Sequence, residues 1–445
     1  MDTYDERTLA RWREFVADGS LPPPAAITRR AVRTPWHLAG KASAVIGMRR
    51  AGKTTFLHQV RSDRLAAGVP LERLPYWNFE DQRLTGMRAE DLPLLLDEYH
   101  RLHPALRRTQ LVTLCLDEIQ VVAGWERFVR RLLDTELVEV FVSGSSAAML
   151  SREVATSMRG RGFEIVVHPF SFAEAQEHLG RSVPGGTAPL AGKRLSAIEH
   201  DVRAYLTVGG FPEVQRLDAA TRARVLQDYV DIVVLRDVVE RHEVTSVTAL
   251  RWLVRQVLGN AGAAFSVQKF FDALKSRGLR VGKDTVHELL AHLTDCFLVR
   301  TVWLETDSER RRMVNPRKVY PVDPGLIPVF DRSGKANLGH ALETAVLVEL
   351  ERRGAAVTYV RTEDGFEVDF CAVHPTGERE LIQVAADASA ADTGERELRA
   401  LQAAAKELRV TSACLITMTM DGFPSSVPKG IAVHAAADWL LGRVD

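Results

Sequence analysis

Cysteine is scarce in this chain, with four among 445 residues, at positions 115, 296, 371 and 414. Their scatter has neither the spacing of a metal site nor the density of a disulfide scaffold, so a reducing, cytoplasmic setting is expected. No apolar run approaches the roughly 18 residues of a membrane span, and no signal peptide opens the sequence, so no membrane partner is expected. Neither sign of charge prevails: 58 Lys and Arg stand against 58 Asp and Glu. That balance implies no global electrostatic partner. Internal repeats and low-complexity tails are missing too. What is there is ordinary for a globular protein, 46% hydrophobic and 26% charged, and the length suits about three domains.

One stretch organises the rest. Gly47-Met-Arg-Arg-Ala-Gly-Lys-Thr-Thr55 reads G-x-x-x-x-G-K-T, the phosphate-binding loop of nucleoside triphosphatases. Ala42 to Ile46 predicts a short buried strand before it, and Phe56, Leu57, Val60 and Leu65 follow at helical spacing. Gly47 and Gly52 let backbone N–H groups crowd around phosphate oxygens at a helix N-terminus. Lys53 supplies a point charge, Thr54 a hydroxyl for Mg²⁺, and Arg50 and Thr55 complete the set expected to bind ATP.

A second motif lies 63 positions after Thr54, in Leu111-Val-Thr-Leu-Cys-Leu-Asp-Glu-Ile-Gln120. A continuously apolar run fits a buried parallel strand, whose acidic end then faces the ligand edge of the sheet. Asp117 is expected to hold Mg²⁺ through water and Glu118 to polarise the attacking water. Val138 to Val142 predicts another strand, ending in Ser143, which either senses phosphate and water or caps the next helix. Arg159 and Arg161 flank a glycine in a loop, where either an arginine finger or a solvated basic turn is expected.

Beyond this the pattern changes three times. Residues 1–169 form the nucleotide domain and 170–244 a helical segment that suits a lid. Residues 245–330 run helix, turn, helix, hairpin, the order of a winged helix, with the hairpin strands expected over Leu298 to Leu304 and Met313 to Val322 and with 13 Lys and Arg against 7 Asp and Glu between Thr245 and Tyr320. DNA contact through Lys283, Arg310, Arg311 and Arg312 is expected there, the alternative being a protein-binding winged helix. Residues 335–445 alternate strands and helices and carry 11 basic against 17 acidic residues.

Together with Tyr76-Trp-Asn-Phe-Glu-Asp81, Gly144-Ser-Ser146 and Gly209-Gly-Phe-Pro212, these motifs resemble a prokaryotic family of AAA-type ATPases over roughly residues 25–420. The resemblance implies an α/β fold: a P-loop AAA-type domain with a helical lid, a winged helix, and a C-terminal restriction-nuclease-like domain. It also implies ATP and Mg²⁺ as cofactors, and a ring, most often a hexamer, with Arg159 or Arg161 acting on a neighbour's nucleotide. Two functions follow. One is a motor or remodeller of duplex or branched DNA; the other is a nucleotide-gated signalling or defence switch with slow turnover. In the last domain Glu343 and Asp369 stand where the resemblance wants metal-binding acids. Its expected glutamate-x-lysine pair reads Gln383-Val384-Ala385, so a working nuclease is not expected.

Overall fold

The computed structural model describes residues 4–32, 34, 37–144, 160–182, 192–331 and 337–444. The chain forms two compact units, residues 1–167 and 168–445.

The first unit is a parallel sheet between helices. It contains α1 (Glu6–Asp18), β1 (Ala42–Ile46), α2 (Lys53–Ala66), β2 (Tyr76–Asn78), α3 (Leu92–Leu102), β3 (Val112–Asp117), α4 (Trp125–Thr135), β4 (Val138–Ser143) and β5 (Gly162–Val166). The strand order is β2-β3-β4-β1-β5, and each neighbouring pair is parallel. Every residue of β1 and β3 is buried, as a strand covered on both faces requires. Val45, Phe56, Leu57, Val60, Cys115, Phe141 and Ile165 form the core between α2 and the sheet. One charged pair also lies in this interior. Arg64, on α2, makes a two-pronged bond to Glu139 on β4, and Thr113 on β3 donates to the same carboxylate at 2.8 Å.

The second unit begins with α5 (Phe172–His178), α6 (Gly192–Val208) and α7 (Ala219–Ile232), which runs on as a π-helical segment, Val233–Glu240. Then come α8 (Val247–Gly259), β6 (Ala264–Phe265), α9 (Val267–Ser276), α10 (Lys283–Asp295), β7 (Val299–Leu304), α11 (Glu309–Val314) and β8 (Arg317–Pro321). Last are α12 (Ile327–Phe330), α13 (Leu338–Arg352), β9 (Ala356–Arg361), β10 (Glu367–Val373), β11 (Arg379–Ala385), α14 (Ala391–Leu408), β12 (Ser412–Thr417), β13 (Ile431–Ala435) and α15 (Ala436–Leu440).

The residues expected to divide into lid, winged helix and C-terminal domain share one sheet and one core. One eight-stranded sheet, β13-β12-β11-β10-β9-β7-β8-β6, crosses the boundary at 330–335, because β7 pairs in parallel with β9. One core also runs through all three parts, joining Phe172 and Tyr205 to Val302, Tyr320, Leu342 and Trp439. The turn Gly209-Gly-Phe-Pro212 belongs to that joint. Gly210 N–H donates to buried Asp323 at 2.6 Å, and a Cβ on Gly209 would collide with the same carboxylate. A second difference concerns the strand expected over Met313 to Val322: Met313 and Val314 instead end the short helix α11, which Ser308 caps.

Candidate functional site

The strands of the first unit deliver the two motifs to one edge. β1 and β3 are parallel to β4, which lies between them, so the phosphate loop after Ile46 and the carboxylates after Leu116 emerge side by side. The loop backbone is left-handed at Gly47, Arg50 and Gly52, with φ of 147°, 66° and 101°. Glycine is obligatory at the first of these, since a Cβ on Gly47 would strike the carbonyl of Val167. Gly52 caps α2 without a side-chain bond, which leaves first-turn N–H groups for a phosphate. Lys53 curls back to donate to the carbonyls of Gly47 and Met48 at 3.1 and 3.2 Å. Phosphate oxygens presented to the loop compete for that ammonium. Thr55 is half-buried in the first turn of α2.

Asp117 is the hub. Its Oδ2 accepts from the Thr54 hydroxyl at 2.8 Å and from the Tyr76 hydroxyl at 2.6 Å, and its Oδ1 accepts from Ser143 Oγ. A hydroxyl and a buried carboxylate that converge in this way form the oxygen donor set that suits Mg²⁺. Burial first, then the Asp117 charge, pushes the Tyr76 phenol well above its ordinary range, so it stays a donor.

Glu118 follows in a left-handed conformation, φ 52°. A non-glycine residue there costs on the order of 1 kcal/mol, which the surrounding bonds offset. Its N–H donates to Ser143 Oγ at 3.0 Å, and its carboxylate accepts from the amide of Gln120. Burial raises the Glu118 pKa, against the opposing pull of Lys53 and Gln120. That direction makes it a better proton acceptor for water. Ser143 therefore ties Asp117 to the Glu118 backbone, a positioning role distinct from the two expected of it.

The arginines fare differently. Arg159 lies outside the described residues. Arg161 precedes β5, where its carbonyl accepts from Ala42 N–H at 2.8 Å, and its guanidinium pairs with Asp134 on α4. That is the amino end of β1, the edge opposite the phosphate loop that follows Ile46. Several contributors were missed by sequence reasoning. Tyr76 opened one quoted motif without a role, and Gln120 ended another. Arg30 carried no signal at all: it is buried against the loop, donating to Ala51 O at 2.7 Å, with its backbone bonded to Gln59.

A second polar cluster sits in the other unit. Lys318 Nζ lies 2.7 Å from Glu367 and 3.0 Å from Asp369, and Tyr320 donates to Glu343 at 3.3 Å. Asp369 occupies an irregularity in the β9–β10 pairing and also accepts from Val384 N–H at 3.1 Å. The amine thought missing at Ala385 is thus supplied from β8. Gln383 is indeed neutral, but its amide donates to buried Glu397 on α14 at 2.8 Å, and its carbonyl accepts from Asp369 N–H. Among the described residues no group of acids, histidines and cysteines is arranged to hold a metal ion.

Comparison with known proteins agrees with the first site. Residues 39–176 match an AAA domain, and residues 199–335 match a domain of unknown function, DUF8612. An uncharacterized protein of Methanocaldococcus jannaschii, MJ1544, is 32% identical over 399 residues, covering 87% of this chain and 84% of that protein. An uncharacterized protein of Haemophilus influenzae is 28% identical over 398 residues, 89% and 93% of the two chains. Among solved structures, the Walker-type ATPase PABY2304 of Pyrococcus abyssi is 13% identical, with a TM-score of 0.38 over 74% of this chain and 96% of that one. The Aeropyrum pernix ORC1 protein in complex with DNA gives 16% and 0.28 over 74% and 94%. At these scores neither likeness carries weight for function.

Proposed function

Since this chain belongs to one family with the uncharacterized M. jannaschii protein MJ1544 and has an AAA domain near its start, we propose that it is a Mg²⁺-dependent ATPase that acts on DNA. The observation that carries the hydrolytic part is the convergence of Thr54, Tyr76 and Ser143 on Asp117, with Glu118 fixed beside it. The loop N–H groups and Lys53 bind the phosphates. Thr54 and Asp117 would hold Mg²⁺, which supplies charge neutralisation at the phosphates. Glu118, with its raised proton affinity, orients water and accepts its proton, while Gln120 holds its carboxylate and Ser143 its backbone in place.

Two features support a role on DNA. The order α8, β6, α9, α10, β7, β8 is that of a winged helix, and its residues carry the local basic excess of a neutral chain. Self-association as a ring, with a hexamer the expected size, belongs to the same reading, and Arg161, at the amino end of β1 and away from the phosphate loop that follows its carboxyl end, is the candidate to act across it. Among the described residues no helix is long and apolar enough to cross a membrane. Cleavage of DNA by the second unit is not part of this reading.

The test is ATP turnover with and without duplex and branched DNA. Glu118→Gln should bind nucleotide and lose turnover, Lys53→Ala should lose both, and DNA should stimulate the wild type. Normal turnover in Glu118→Gln would remove it as the water-activating residue.

A further inference from the structure

A groove of about 220 Å³ opens between the start of α9, the first turns of α10 and the α11–β8 segment. Lys283, His287 and Arg317 line it together with Met313 and Val314, and none of its described lining residues is acidic. Arg317 is the informative one. Its guanidinium carbon lies over the Trp303 ring, 3.8 Å from its centroid, and burial lowers its pKa with no opposing attraction. Among the described residues no carboxylate pairs with it. A half-desolvated guanidinium of this kind lacks an anion. His287 senses the same field: its pKa is lowered by burial and then by Arg317 and Lys283, with Asp284 the only group opposing them.

The apolar side of the groove is equally unusual. Met313 and Val314 are 73% and 74% exposed, ahead of every other large hydrophobic residue described. They end α11 after Arg310, Arg311 and Arg312, the first two of which are exposed. Arg312 is turned away, bonded to Glu309 at 2.8 Å and to the Thr306 carbonyl at 3.1 Å. An apolar pair held out in water, rimmed by cations, has the composition of a wedge that enters a minor groove and parts a base step.

Resting on the DNA reading above, we infer that this groove seats one strand of duplex DNA, with a phosphate on Arg317 and Lys283 and with Met313 and Val314 inserted as a wedge that bends the duplex. The two kinds of contact separate experimentally. Phosphate contacts release counterions and set the salt dependence, whereas an apolar wedge does not. Arg317→Met keeps an unbranched side chain over Trp303 and removes the charge. Met313→Ser with Val314→Ser alters only exposed positions, so the fold has no reason to change.

Full-length protein is titrated into fluorescein-labelled duplex over a salt series, and bending is read by energy transfer between end labels. Arg317→Met should lower the slope of log Kd against log salt by about one and leave the bend. The double serine variant should keep the slope, lose the bend, and bind roughly tenfold more weakly. A double variant that bends DNA like the wild type, or an unchanged slope in Arg317→Met, overturns the inference while duplex binding stands. Wild-type protein that binds no duplex overturns the DNA reading itself.

Discussion

Lys318 and Asp369 meet at 3.0 Å although their strands, β8 and β10, are separated in the sheet by β7 and β9. Between them the β7–β9 pairing is short, two residue pairs long, and the lysine side chain spans it. Burial opposes the Lys318 charge, but Asp369 and Glu367 outweigh it and hold the ammonium protonated. A cation of the chain's own therefore balances these carboxylates.

Removing that cation should be costly. Lys318→Met is expected to destabilise the second unit by on the order of 3–5 kcal/mol, since it leaves Asp369 charged and buried. Adding Asp369→Asn and Glu343→Gln should restore most of the loss in denaturant titrations. With Mg²⁺ or Mn²⁺ the wild type should leave single-stranded, duplex and branched DNA intact; cleavage that vanished in Asp369→Ala would overturn the view of this cluster as structural.

The same cluster makes stability depend on pH. Burial, then the neighbouring Asp369, pushes the Glu343 carboxyl up to about 8 from an ordinary 4.5. A folded-state value above the unfolded one means that its contribution is fully present below 4.5 and is lost as pH rises through about 8. The unfolding temperature of the wild type should therefore fall as pH rises from 4.5 to about 8. Glu343→Gln should flatten that decline, by roughly 2–4 °C for each kcal/mol involved. Parallel pH profiles for the two proteins would refute it.

Ser143→Ala should act on turnover more than on nucleotide affinity. The hydroxyl touches Asp117 and the Glu118 N–H, and removing it leaves a buried donor without an acceptor. A fall in kcat of roughly tenfold, about 1.4 kcal/mol, is expected with KM for ATP little changed. A raised KM at unchanged kcat would instead return Ser143 to a phosphate-sensing role.

Arg64→Ala should unfold the first unit more readily, by on the order of 3–5 kcal/mol, because Glu139 is then buried without its partner. Replacing Arg64 and Glu139 together with Met and Leu should cost much less. Equal losses in the single and double replacements would mean that the pair contributes through packing alone.

How far the sequence reached depended on distance along the chain. The phosphate loop and the Asp117-Glu118 pair were legible because each role is carried by a few adjacent residues with a fixed local backbone. Tyr76 was not, since only the β2–β3 register, Tyr76 opposite Cys115, brings its ring toward Asp117. Arg64 looked like any surface residue of an amphipathic helix until the facing strand supplied Glu139. Lys318 was hidden further still, behind two intervening strands that no spacing rule predicts. The strand expected at Met313 failed for a local reason: Ser308 accepts from Arg311 N–H and starts a helical turn that β-propensity alone does not anticipate.

The β7–β9 pairing also decides which pieces of this chain can travel. A small helix-and-hairpin domain is often an exchangeable module, with linkers at both ends and edges of its own. Here Trp303 and Leu304 of β7 pair with Thr358 and Tyr359 of β9, so a chain cut after residue 330 would leave that end of β7 open. Bare strand edges recruit other strands. Transplanted alone, residues 245–330 would carry a self-adhesive margin, whereas residues 168–445 form one compact unit that keeps this edge paired.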